Sequence, residues 1–363
     1  MRIKKIVTRP ALERTGSDNP KSEIRNPKLG VLLFNLGGPE RLEDVRPFLF
    51  NLFSDPDIIR IKNDNLRKAL AWFIAATRQG KSRSLYRQIG GGSPLRRITE
   101  QQAKALCSRL AETGVPARAY VGMRCWKPTI DEAVERILDD GVSKLVVLPL
   151  FPQYSFTTTG SCFNYFKKLA AASGLESRAE ITYVQDWHDN PLYVDAVADL
   201  IRASMTQFSD KDPGNIHVLY SAHSIPAKYV REGDPYLEQT QKTVALINAS
   251  LRNVSPSILG FQSKVGPVKW LEPSTMDLIA QFGRNGTRQV LAVPISFVSD
   301  HIETLQEIDI LYKQMAQQAG IAEFRRAASL NLYPKFIDAL AKLVLDAVQN
   351  FTTKTQRHQE RLK

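Results

Sequence analysis

The chain has 363 residues, 43% of them hydrophobic and 24% charged, the composition of a globular protein long enough for two medium-sized domains. No apolar run approaches the roughly 18 residues of a membrane-spanning helix, and three scattered cysteines do not make the disulfide framework of a small secreted protein. The net charge of +12 is spread along the chain, so charge alone does not choose between nucleic acid, an anionic membrane face and an acidic small molecule.

Residues 1–28 are polar, with Glu13, Asp18 and Glu23 among the basic residues and no apolar h-region. That segment is set apart from the fold. It points to a bacterial cytoplasm, with a mitochondrial transit peptide as the weaker alternative because acidic residues are present. A strand is expected over 30–37, followed by a dense apolar run, Phe48, Leu49, Phe50, Leu52 and Phe53. Too much of that helix is apolar for one buried stripe, so it reads as a core face, as the lining of a hydrophobic ligand cleft or as a membrane contact. Strand-length runs at 117–124, 144–151, 181–185, 216–221, 258–263, 289–297 and 324–328 alternate with helix-period segments at 129–140, 193–208, 237–251 and 304–319. A helix over 334–351 and a basic tail follow. The alternation is that of βα units, and eight strands predict an α/β protein with two parallel sheets of about four. The break between halves falls near 186–191.

Ligand sites in open parallel sheets form outside the carboxyl ends of the strands. The loops there carry LGGPE at 36–40, GMRCW at 122–126, PLFPQYSFTTTG at 149–160, YSAHS at 220–224, QSKVGP at 262–267 and FVSDHIE at 297–303. His223 projects from a strand end, where an imidazole accepts a proton near neutral pH, although a structural histidine reads equally from the residue alone. Asp300, His301, Glu303 and Glu307 open the next helix, with Asp300 placed as its N-cap and Glu303 and Glu307 on one face. An ordinary acidic first turn is the plain alternative. Convergence of this group with His223 favours metal or proton chemistry, without the spacing of a closed zinc site. The glycines at 37–38 and 90–92 open no GxGxxG helix and carry no Walker lysine, so phosphate binding is weakly supported. Arg83, Arg87, Arg96 and Arg97 stand near the second group and suit carboxylates or plain solvent.

From about residue 29 to 345 the chain resembles the ferrochelatases. The matching motifs are NLGGPE at 35–40, YRQIGGGSPL at 86–95, FPQYS at 151–155 with TTGS at 158–161, YSAHSIP at 220–226, GDPY at 233–236, QSKVGPVKWLEP at 262–273 and SDHIETLQEID at 299–309. The resemblance implies two Rossmann-like domains, 29–185 with the lip of a porphyrin cleft and 186–330 with the catalytic residues. A carboxyl-terminal helix over 331–352 and a tail over 353–363 complete the chain. The implied activity is insertion of Fe²⁺ into protoporphyrin IX. His223 is the implied proton acceptor or metal ligand, Glu303 its acidic partner and second metal ligand, and Asp300, His301 and Glu307 a proton or metal path. Leu36, Ser93, Arg124, Trp126, Tyr154 and Trp270 are implied porphyrin contacts. Phe48, Leu49, Leu52 and Phe53 form the implied lip, which supports peripheral attachment to the cytoplasmic face of the inner membrane.

Animal relatives carry a [2Fe–2S] cluster held largely by cysteines of a carboxyl-terminal extension. The segment after Leu345 has no cysteine, so no cluster or other resident cofactor is expected, iron is a substrate, and a monomer is preferred to a dimer. The rivals are a coproporphyrin or sirohydrochlorin-type chelatase and a porphyrin or haem carrier without chemistry. Nucleic acid is not an expected partner, since no recognised binding motif is present.

Overall fold

The computed structural model describes residues 28–360 except 253, 265 and 267, with side chains described to Gln349. The expectation for 1–27 lies outside them. Two four-stranded parallel sheets form the frame. The first contains β1 (Leu29–Asn35), β2 (Arg118–Met123), β3 (Lys144–Pro149) and β4 (Glu180–Tyr183), in the order β2-β1-β3-β4. The second contains β5 (Ile216–His223), β6 (Ser257–Gln262), β7 (Gln289–Pro294) and β8 (Glu323–Arg326), in the order β6-β5-β7-β8. All eight expected strands are present. Their inner members are continuous apolar runs, buried along their length at β1 and β7, because helices cover both faces of a parallel sheet. The halves share no sequence repeat, yet they share a winding. In each, the chain goes from the first strand to one neighbour and then back to the other, leaving a topological switch point between β1 and β3 and between β5 and β7.

The helices are α1 (Val45–Phe53), α2 (Asp64–Gln88), α3 (Leu95–Glu112), α4 (Ile130–Asp139), α5 (Ser161–Ser173), α6 (Pro191–Met205), α7 (Ala227–Arg231), α8 (Tyr236–Ser250), α9 (Thr275–Arg284), α10 (Lys313–Gln318) and α11 (Pro334–Glu360). α4 begins on a capping box in which Thr129 accepts from the Glu132 amide while the Glu132 carboxylate accepts from the Thr129 amide. α11 runs past the expected stop at 351, so the backbone is helical through much of the segment read as a basic tail. The expected helix over 304–319 is instead a π-helical segment, Glu303–Tyr312, continued by α10.

One apolar core joins the sheets. Val31 and Leu33 of β1, Val218 and Tyr220 of β5, Leu106 of α3, Ile201 of α6 and Leu340 of α11 belong to a single cluster of buried side chains. The seam is also polar. Asp234, almost fully buried, accepts from Ser155 Oγ (2.8 Å), the Phe156 amide (2.8 Å) and the Tyr236 amide (3.0 Å). Gln239 Oε1 accepts from the Tyr154 amide (2.7 Å), and Gln153 donates to Thr243 Oγ1 (3.2 Å). FPQYS and GDPY are therefore the two sides of one joint, in which Asp234, Gln239 and Gln153 find partners across it.

The glycine motifs also pack on each other. A Cβ at Gly37, where φ is +85°, would stand 2.8 Å from Trp126 Cβ, and one at Gly92 would stand 2.0 Å from the Glu40 carbonyl oxygen. The Ser93 amide donates to the Pro39 carbonyl (2.7 Å). These glycines serve close approach of two loops rather than a phosphate cradle.

Candidate active site

His223 is the last residue of β5, and the π-helical segment follows the loop after β7. The two therefore flank the switch point of the second sheet. His223 Nδ1 lies 2.9 Å from Glu303 Oε2. Tyr236 Oη donates to the His223 carbonyl (2.8 Å), fixing the backbone from which the ring projects. Protein surrounds the imidazole, yet 40% of its side-chain surface stays open. Burial disfavours the imidazolium, but the charge and hydrogen bond of Glu303, with Glu307 behind, outweigh it and raise the His223 pKa.

The two glutamates are driven apart. Burial opposes charge on Glu303, yet His223 and then His301 hold its pKa well below the usual carboxylate range. Burial and the Glu303 charge push Glu307 up, against hydrogen bonds from Ser263 and Tyr312. The hydrogen-bond count agrees. Ser263 Oγ approaches Glu303 Oε2 (2.9 Å) and Glu307 Oε2 together. One hydroxyl hydrogen shared between two oxygens suits one carboxylate and one more readily protonated carboxyl, the direction in which Glu307 is pushed. Glu307 Oε1 accepts from the Ser263 amide (3.2 Å) and Tyr312 Oη (2.8 Å). Gln262 Nε2 faces both carboxylates, 3.2 Å from Glu307 and 3.4 Å from Glu303.

The wide turn of the π segment makes this grouping. At about 100° per residue an α-helix would put Tyr312 on the face opposite Glu303, nine positions back. Bonding to the fifth residue widens the turn and carries Glu303, Glu307 and Tyr312 toward one side. Ser263, at φ +64°, sits in the left-handed region that a serine seldom adopts, and this conformation aims both its amide and its hydroxyl at the carboxylates.

The remaining expected residues divide. His301 joins the group: its Nδ1 lies 3.1 Å from the Ser299 carbonyl and its Nε2 3.8 Å from Glu303 Oε1. Leu36, Trp126, Phe48, Leu49, Leu52 and Phe53 share one apolar cluster with Tyr86, Cys125 and Ile302, so the lip abuts the start of the π segment. Trp126 meets Phe48 edge-on at 6.3 Å. Trp270 bridges to Pro226, three residues from His223. Ser93 packs under Gly38, and Tyr154 lies on the seam between halves.

Three expectations are corrected. Asp300 does not cap the segment, whose N-cap position is Ile302. Its carboxylate accepts from Arg326 (3.0 Å), Ser329 (2.7 Å), Asn331 (2.8 Å) and the Thr304 hydroxyl (3.0 Å), and although burial opposes its charge, Arg326 and these donors hold its pKa low. Arg124 is not extended into the cleft. It pairs with the buried Asp55 (3.0 Å), donates to Ser161 (2.8 Å) and stacks on Tyr165, with 10% of its side chain exposed. A buried carboxylate needs such a partner, so Arg124 braces the turn after α1. Phe48 and Leu49 are buried, and the exposed large apolar side chains near the mouth are Leu66, Leu70, Trp72 and Phe73 of α2.

An imidazole and two unequal carboxyls at the switch point of one of two parallel sheets place the chain among α/β proteins of the chelatase architecture. The fold matches that of SirB from Bacillus subtilis, solved with Fe³⁺, at a TM-score of 0.54 and 12% identity, covering 90% of this chain and 97% of that one. The ferrochelatase family profile matches residues 28–348. Curated ferrochelatases from Gloeothece citriformis (49% identical) and Trichormus variabilis (50%) align over 322 residues, 88% of this chain and 83% and 82% of theirs. The chain belongs to the ferrochelatase family.

Proposed function

We propose that this protein is a lyase that inserts Fe²⁺ into protoporphyrin IX, giving protohaem and two protons. The observation that carries the reading is the His223–Glu303 pair on the cleft floor, 2.9 Å apart. Metalation requires both pyrrole N–H protons to leave as iron bonds to the four nitrogens. His223 receives a proton at Nε2, the nitrogen not facing Glu303, and Glu303 stabilises the imidazolium that forms. Glu307, Ser263 and Tyr312 form the polar wall along which protons leave. Leu36, Trp126, Tyr154, Trp270 and Ser93 line the macrocycle site. The reading needs no resident cofactor. The test is anaerobic turnover with Fe²⁺ and protoporphyrin IX beside coproporphyrin III, followed by loss of porphyrin fluorescence. Metalation of protoporphyrin is expected. A preference for coproporphyrin would move the assignment to that substrate, and tight binding without turnover would make the protein a carrier.

We further infer that α2 seats the cleft mouth on an anionic bilayer. No described helix is long and apolar enough to cross a membrane. Trp72 is 57% and Phe73 60% exposed, and α2 carries Arg67, Lys68, Arg78, Lys81, Arg83 and Arg87 against one acid, Asp64, the composition of an interfacial helix. Replacing Trp72 and Phe73 together by Ser should weaken cosedimentation with phosphatidylglycerol-containing vesicles at least about tenfold, from the apolar area withdrawn. Unchanged binding would remove α2 from the contact.

A further inference from the structure

We propose that Gln102, on α3, is a positioning residue for the reaction, holding the 299–301 loop so that His301 presents its ring to Glu303 in one fixed orientation. This rests on the reading of the site given above. Gln102 belongs to the helix packed on the first sheet, and its side chain is fully buried. Its Nε2 donates to Ser299 Oγ (2.9 Å) and to the Asn331 carbonyl (2.8 Å), reaching across to the second half of the chain. The Asn331 carbonyl can only accept, so the amide nitrogen must lie on that side. The other half of the amide, Oε1, is buried with no partner. The side chain therefore acts through its two donated bonds, since an apolar side chain would fill the same space without an orphaned carbonyl.

Both acceptors lead to the site. Ser299 offers its own carbonyl to His301 Nδ1 (3.1 Å). A carbonyl cannot donate, so His301 holds a hydrogen on Nδ1 toward Ser299, which turns Nε2 toward Glu303 Oε1, 3.8 Å away. Asn331, at φ +39°, grips Asp300 from both sides. Its Oδ1 accepts from the Asp300 amide (2.9 Å) and its Nδ2 donates to the Asp300 carboxylate (2.8 Å), while its own amide donates to the Val298 carbonyl (2.8 Å). Gln102 thus pins both strands of the short stretch that carries His301, and Phe297 covers the open side of the imidazole, ring centroids 4.4 Å apart. A strut from the first half fixes a ring in the second, the kind of remote support on which a reacting geometry depends.

The test uses the full chain with Gln102→Leu, which keeps the volume and removes the donors, and Ser299→Ala, which removes one acceptor but keeps the carbonyl that holds His301. Circular dichroism and thermal unfolding establish that each is folded. Two readouts follow: kcat and KM for porphyrin, and ¹⁵N spectra of the side chains of the five histidines, with His301 assigned by its absence in His301→Ala. Gln102→Leu is expected to lower kcat by about 10- to 100-fold with KM within about twofold, and to shift the His301 Nδ1 signal as its bond to the Ser299 carbonyl is lost from part of the population. Ser299→Ala should move both readouts the same way by less, and it decides the question if the leucine variant does not fold. Wild-type kcat with an unchanged His301 signal in the folded variants would overturn the proposal. Should wild-type protein fail to metalate any porphyrin, the chelatase reading fails, and the spectra alone still decide whether Gln102 holds His301 in place.

Discussion

His223→Ala will leave a folded protein with no measurable metalation, a loss of at least about 10³-fold in kcat, with porphyrin still bound. The size follows from the absence of a substitute: a positioned general base contributes about 10² to 10⁴, and the other imidazole of the group, His301, carries its hydrogen toward Ser299 and keeps its Nε2 against Glu303 rather than free in the cleft. The fold should survive because the ring is partly open and packs on little else; its nearest aromatic neighbour, Phe297, is 6.3 Å away. Glu303, deprived of its cation, can take up a proton and keep its bond from Ser263, which avoids an uncompensated buried charge. Stopped-flow and steady-state fluorescence with Fe²⁺ and protoporphyrin IX measure turnover, and fluorescence titration without metal measures binding. A variant that retains more than about a tenth of wild-type kcat would show that another group removes the pyrrole protons.

The parts legible in the sequence were those with a short-range code. Apolar runs of strand length located all eight strands, and the rule that sites gather beyond strand carboxyl ends singled out the loops bearing His223 and Glu303. What stayed hidden depends on contacts distant in the chain. Ser263 lay inside a highlighted loop, but nothing local marks a serine whose backbone turns left-handed to bridge two carboxylates. Tyr312 was invisible because helix periodicity assumes α geometry, which places it on the wrong face. The ion pairs of Arg124 and Asp300 are hidden for the same reason: a charged residue beyond a strand end looks available until its buried partner, Asp55 or Arg326, is known. α2 escaped because it inverts the usual pattern, burying Arg67, Ala71 and Ala75 while exposing Trp72 and Phe73. Its apolar residues therefore describe an outer surface rather than a core stripe.

Glu303→Gln separates electrostatics from shape at the same position. The amide still reaches His223 and Ser263, but it cannot stabilise an imidazolium. Two forces act on His223 in the native protein, burial lowering its pKa and the Glu303 charge raising it, and the second wins. Without that charge burial weighs more heavily, and the His223 pKa falls from its raised native value. A base acts only when unprotonated, so the acid limb of kcat/KM lies above pH 6.5 in the wild-type protein and moves to lower pH in the variant. The plateau should drop by about 10²-fold as the proton taken up loses its counter-charge. Stability carries the same sign pattern. The raised His223 pKa stabilises the fold below 6.5 and is lost as pH rises through it, whereas the depressed Glu303 pKa stabilises above 4.5 and is lost on acidification. Both contributions are full only between those values, so the stability gap between wild type and Glu303→Gln should be widest from about pH 4.5 to 6.5 and narrow on either side. Rate profiles and urea unfolding across pH 4 to 9 provide the measurement. An acid limb that stays in place or moves upward would mean that Glu303 does not set the proton affinity of His223, and the pair would then have to be read as a metal-binding geometry whose proton acceptor lies elsewhere.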